Sequence, residues 1–160
     1  MPRWPLVLLL SFACIASAEG DLVEVDSITF RACPSASTPL CEPLVFWTPG
    51  QSERVLVRAR LHAPVEATTS RVVLSVEWGL LPAGAPLREA SIVWSDPEES
   101  RSFDVSLGAD APGAVFATIP IARRAREWQE AGLDVVACRV LVRTGGVTAS
   151  ATLDVIPAGR

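Results

Sequence analysis

Few side chains in this 160-residue chain can do chemistry: four cysteines, one histidine, and basic residues that are all arginine. Cys33 and Cys41 bracket Pro34-Ser35-Ala36-Ser37-Thr38-Pro39-Leu40, a stretch with no apolar pattern to hold it. A bridge between them would stabilise the fold by about 2.5 kcal/mol through the loop entropy it removes from the unfolded chain. That pairing is the one expected; a bridge from Cys138 to either of them, or no bridge, are the other arrangements. Cys138 shares a face with Val136, Val140 and Val142, which makes it a buried, inert thiol. A thiol enzyme would need it beside His62 as base, and nothing near Cys138 in the sequence would activate it.

Metal chemistry is equally short of ligands. His62 is the sole histidine and Met1 the sole methionine, so the imidazole and thioether set of a copper site is missing. Asp96, Glu98 and Glu99 could surround a hard cation, but the Asp-x-Asp-x-Asp-Gly spacing is absent and Asp96-Pro97 makes a good turn in a solvated hairpin tip. No catalytic residue, metal or cofactor is expected.

Two arginine clusters are the candidate contacts. Arg54, Arg58, Arg60 and His62 alternate with Val55, Val57, Ala59 and Leu61, so they form a row on the outer face of one strand. Such a row could grip an anionic glycan or an acidic protein, or it could be neutralised by cross-strand residues such as Glu77 or Glu89. Arg123, Arg124 and Arg126 with Trp128 make the second cluster. There Arg123 to Glu127 and Arg126 to Glu130 are four apart, which suits pairing within a helix, and Trp128 could pin that helix to the body of the domain.

The elements that carry these residues follow from an export signal and a repeated strand pattern. Arg3, the apolar run Leu6 to Ile15 and the small-x-small triplet Ala16-Ser17-Ala18 read as a signal peptide over 1–18. The run is too short to span a bilayer, which takes on the order of 20 helical residues. Lipidation at Cys14 is disfavoured because Ser11-Phe12-Ala13 fits the expected Leu-Ala-Gly type triplet poorly. Residues 19–160 are then one secreted or periplasmic domain with no stable membrane anchor. The chain carries a net charge of −4, and Arg3 is the only charge lost with the leader, so nucleic acid is an improbable partner. Lys, Asn and Tyr are all missing, as a GC-rich genome would produce; there is accordingly no N-glycosylation acceptor and no lysine chemistry.

Period-two alternation is clearest in Arg54 to His62, Arg71 to Trp78, Arg101 to Leu107 and Val147 to Val155. Less regular strands are expected over Leu22 to Phe30, Leu44 to Trp47, Glu89 to Trp94, Ala114 to Ile119 and Asp134 to Arg143. Turns at Pro49-Gly50, Pro82-Ala83-Gly84, Ala111-Pro112-Gly113 and Thr144-Gly145-Gly146 separate them, the last closing a tight hairpin. Ile121 to Ala131, between Pro120 and Gly132, reads as a short helical crossover.

Seven to nine short strands argue for an all-β fold, an antiparallel sandwich with one short helical crossover. Phe46-Trp47-Thr48-Pro49-Gly50 leading into Val55-Leu56-Val57-Arg58-Ala59-Arg60 resembles the approach to strand B of bacterial immunoglobulin-like and fibronectin type III-like domains. The crossover, the run Asp134 to Arg143 with Cys138 at its middle, and the closing hairpin are similar to their strands F and G. The resemblance implies an immunoglobulin-like β-sandwich and no particular activity. The expected function is an exported, non-catalytic binding or accessory protein; the alternatives are an exported hydrolase or thiol enzyme and a structural subunit of an envelope assembly.

Overall fold

The computed structural model describes residues 23–33, 41–63, 68–108, 112–145 and 147–157. The leader reading over 1–18, with Cys14, lies outside them. The chain builds β1 (Glu24–Ala32), β2 (Glu42–Leu44), β3 (Phe46–Trp47), β4 (Val55–His62), β5 (Thr68–Pro82), β6 (Val93–Trp94), β7 (Glu98–Leu107), β8 (Gly113–Ile119), helix α1 (Ile121–Glu130), β9 (Leu133–Thr144) and β10 (Val147–Val155). They form two sheets. One has the order β2-β1-β4-β8; the other runs β3-β10-β9-β5-β6, with β7 also on β5.

Alternation decides which face of each strand is dry. Val55, Val57, Ala59 and Leu61 of β4 are each 0% exposed, and they meet Val72, Leu74, Val76 and Trp78 of β5 together with Cys138, Val140 and Val142 of β9 in one core shared by both sheets. Trp47 is buried at the end of this core and donates its indole N–H to the Ser52 carbonyl at 3.0 Å, so its one polar atom is satisfied. The buried Thr144 hydroxyl donates to the Val23 carbonyl at 2.9 Å, tying the end of β9 to the approach to β1 across the two sheets.

The four strongly alternating segments are strands with the expected faces inward. Two weaker expectations are corrected. Leu44 to Trp47 is not one strand: β2 pairs with β1 in the first sheet, and after Val45 the chain steps across so that β3 pairs with β10, in parallel, in the second. Glu89 to Trp94 is a single 3₁₀ turn, Glu89–Ser91, followed by the two-residue β6. The turn buries no residue, so no apolar face draws it into a sheet. β5 runs longer than the alternation indicates because Gly79, Leu80 and Leu81 are buried in succession, past a register shift against β9.

The helix lies where Pro120 and Gly132 bound it. Gly132 takes φ +81°, a left-handed conformation, and its N–H donates to the Gln129 carbonyl at 3.0 Å. Ile121 and Ala122 are buried, and Ala125 and Trp128 pack against the core at helical spacing. The disulfide joins Cys33 to Cys41, with Cα atoms 4.4 Å apart, one position beyond the Ala32–Glu42 rung of the β1–β2 pair. Among the described residues no helix is long and apolar enough to cross a membrane.

Candidate functional site

Register, which sequence alone does not supply, assembles the outer face of the first sheet. Arg58 of β4 stands between Thr29 of β1 and Phe116 of β8, Arg60 between Ser27 and Ala114, and Leu56 between Arg31 and Thr118. Arg58, Arg60 and His62 thus alternate along β4, Arg54 stands just before the strand, and neighbouring strands add to the face. Arg31 joins it from β1, its guanidinium donating to the Cys41 carbonyl at 3.5 Å, and Phe116 contributes a half-exposed aromatic ring with the Arg58 guanidinium 5.8 Å above it. Neither Arg31 nor Phe116 was identifiable as a contact before register was known, since both belong to other strands.

The row ends in an acidic partner at one extremity. His62 Nδ1 sits 3.5 Å from Asp26 and 3.7 Å from Glu24 of β1, beyond hydrogen-bond geometry. Neutralisation by Glu77 does not occur. Glu77 is on the second sheet, where it accepts from Arg139 Nε at 2.7 Å while that guanidinium stacks 4.0 Å over Trp94. Arg60 makes no ion pair among the described residues. Nor does the structure bring His62 to Cys138: the thiol is 0% exposed in the core, in register with Trp78 and Leu153 on the other sheet.

Carboxylates engage the crossover cluster. Arg123 meets Glu127 at 3.5 Å, the expected four-residue pair, and Arg124 meets Glu127 at 2.9 Å and Glu98 at 3.2 Å. Arg126 reaches Glu53 at 3.3 Å instead of Glu130. Trp128 is half-buried against the core and so pins the helix rather than presenting an aromatic face. Glu98, one of the carboxylates considered for calcium, is thus taken by Arg124.

Two clefts flank α1. One, of about 170 Å³, is lined by Trp47, Ala122, Ala125, Val135 and Val155, with Glu53 and Asp134 at its polar side. Asp134 is buried and accepts the Gly84 N–H at 3.2 Å, which anchors a turn. The other, of about 220 Å³, brings the two arginine clusters together: Arg54 and Arg123 line it with Arg101, Thr118 and Pro120. Arg101 comes from β7, nearly fifty residues from Arg54, and no local signal in the sequence placed it there.

No family model matches this chain, and no curated protein matches it. Among solved structures, the Pseudomonas fluorescens alkylpurine DNA glycosylase AlkC bound to DNA containing an abasic site analog is similar over 83% of this chain, with 13% identity and a TM-score of 0.43. This chain spans 30% of the length of that one. At such similarity the glycosylase activity does not transfer.

Proposed function

We propose that this chain is an exported, non-catalytic binding protein with an immunoglobulin-like sandwich, and that it holds an anionic glycan on the outer face of the β2-β1-β4-β8 sheet. The strand orders β1-β4-β8 and β10-β9-β5 correspond to A-B-E and G-F-C of immunoglobulin-like folds, which supports the architecture. The Cys33–Cys41 disulfide suits an oxidising compartment outside the cytoplasm.

The observation that carries the binding reading is the registered face itself. Arg31, Arg58 and Arg60 stand beside the hydroxyls of Thr29 and Thr118 and the ring of Phe116, in a protein whose net charge is −4. Guanidinium groups recognise sulfate and carboxylate, hydroxyls bond sugar oxygens, and an exposed ring can cover a sugar face. Alternate residues of a strand lie about 7 Å apart, so Arg58 and Arg60 present separated charges suited to a polymer.

The test is a titration of the purified protein with sulfated dextran and with neutral dextran, repeated for Arg58→Ser/Arg60→Ser. Saturable binding of the sulfated polymer alone, weakened about tenfold or more in the double variant, is expected from the loss of two charge-assisted contacts. Equal binding by the variant, or none by the native protein, removes the glycan reading; selective binding of an acidic polypeptide at this face would make the partner a protein.

A structural role in an envelope assembly takes support from a separate place. Val45 is 81% exposed, Phe46 49% and Ile156 41%, around the short edge strand β3. An assembly subunit would cover them, so self-association lost in Phe46→Ser would favour that role.

A further inference from the structure

We infer that the outer edge of β10 is a site for a second copy of this chain, which adds its own β10 there as an antiparallel strand about a two-fold axis centred on Ser150. β9 pairs with β10 along one side from Val147 to Asp154, but on the other side β3 pairs with it only at Asp154 and Val155. Val147 to Leu153 therefore forms an open edge among the described residues. It belongs to the sheet that does not carry the arginine face, so the inference is independent of the glycan reading.

Backbone alternation decides which groups that edge offers. The Ile156 N–H points to the β3 side, where it donates to the Trp47 carbonyl at 2.9 Å. The β9–β10 register runs without a shift from Val147 to Asp154, so the N–H and C=O of every second residue back along the strand point the same way. Those residues are Thr152, Ser150 and Thr148. All three are exposed, and on that side their backbone groups meet no described strand.

Edge strands usually carry charges, prolines or bulges that discourage a second chain. The part of β1 not covered by β2 has Glu24, Asp26 and a bulge between Val25 and Ser27, and β7 has Glu98, Arg101 and Asp104. Val147 to Leu153 has no charged residue, proline or glycine, in a chain of which 20% is charged. β8, at the edge of the first sheet, is also uncharged, but Val105 and Leu107 of β7 crowd its first residue, Gly113.

Self-complementarity makes a second copy the occupant. About Ser150, Thr148 lies opposite Thr152 of the partner subunit and Ser150 opposite its own equivalent, so hydroxyl faces hydroxyl. On the core side Val147 lies opposite Leu153 of the partner subunit and Ala149 opposite Ala151 of the partner subunit, so apolar faces apolar. No like charges meet, and about six backbone hydrogen bonds close, two for each pair of edge-facing residues. Val147, Ala149 and Ala151 are only half-buried, so the pairing also covers apolar surface. A contact of this length is small beside a standard interface, which makes it a concentration-dependent equilibrium.

Sedimentation equilibrium of the purified protein at concentrations up to about 1 mM measures the association, and a monomer–dimer equilibrium is expected. Ser150→Pro removes an N–H that faces the edge and leaves the β9 ladder intact, while Ser150→Lys or Ser150→Asp sets like charges opposite each other on the two-fold axis. Each variant alone should weaken association about fivefold or more, with a melting curve to check that it folds. Mixing the Ser150→Lys and Ser150→Asp proteins should restore the dimer, because residue 150 then faces its opposite charge. A chain that stays monomeric at about 1 mM, or a dimer that Ser150→Pro leaves intact, overturns the proposal. Charged variants that lose the dimer and do not regain it on mixing overturn the pairing about Ser150. Loss of the dimer in Phe46→Ser but not in Ser150→Pro moves the contact to the apolar β3 edge and overturns it too.

Discussion

Single atoms decide several of the contacts that hold the two sheets together. The Thr144 hydroxyl and the Val23 carbonyl, 2.9 Å apart in the buried region, are each other's hydrogen-bond partners across the sheets. Thr144→Val keeps the shape and deletes the donor, leaving a buried carbonyl unsatisfied. The expected loss is about 1–3 kcal/mol in denaturant unfolding, with Thr144→Ser retaining most of the stability. Gly79 is constrained in a different way. A Cβ there would lie 3.0 Å from Ala137 Cβ and 3.0 Å from Ile92 Cγ2, both closer than ordinary packing allows. Gly79→Ala should therefore destabilise by about 1–3 kcal/mol through overpacking, although alanine normally suits a strand better than glycine does. A Gly79→Ala protein as stable as the native one would mean that β5 and β6 separate at little cost.

Among the elements, the β1–β2 pair depends most on covalent chemistry. β2 has three residues, only three rungs join it to β1, and Glu42 and Pro43 are exposed, so little apolar burial holds it. The Cys33–Cys41 bridge closes it where the sheet's own contacts are few. Changing both cysteines to serine should cost about 2.5 kcal/mol, read as a lower denaturant midpoint. The bridge was legible because the two cysteines flank a short segment with no apolar pattern to hold it. So were β4, β5, β7 and β10, where one face is dry and the other wet, and α1, bounded by Pro120 and Gly132. The step from β2 to β3 was not legible: Leu44, Val45, Phe46 and Trp47 are all apolar, and alternation cannot show that a chain changes sheets. The candidate site divides in the same way. Arg54, Arg58 and Arg60 could be placed on one face from their spacing, whereas Arg31, Arg101 and Phe116 join them only through pairings between distant strands. Local pattern sets which way a side chain points; register sets which side chains it stands beside.

Over the whole molecule, charge is distributed against its average. The net charge is −4, and among the described residues four carboxylates are drawn to particular arginines: Glu77 to Arg139, Glu98 and Glu127 to Arg124, Glu53 to Arg126. What remains on the β1-β4-β8 face and in the adjoining cleft is an arginine surface at Arg54, Arg58, Arg60 and Arg101. Attraction of a polyanion to these exposed guanidinium groups acts at short range. The Debye length falls from about 10 Å at 0.1 M salt to about 3 Å at 1 M, which screens exposed guanidinium groups but hardly touches the buried core. Binding of sulfated dextran should accordingly weaken by about tenfold or more between 0.05 and 0.5 M sodium chloride, while the thermal midpoint in the absence of polymer changes little. If binding were held instead by the apolar groups around Phe46 and Ile156, added salt would leave it unchanged or strengthen it. Measuring both quantities in the same salt series therefore separates a charged sheet face from an apolar edge without altering a residue.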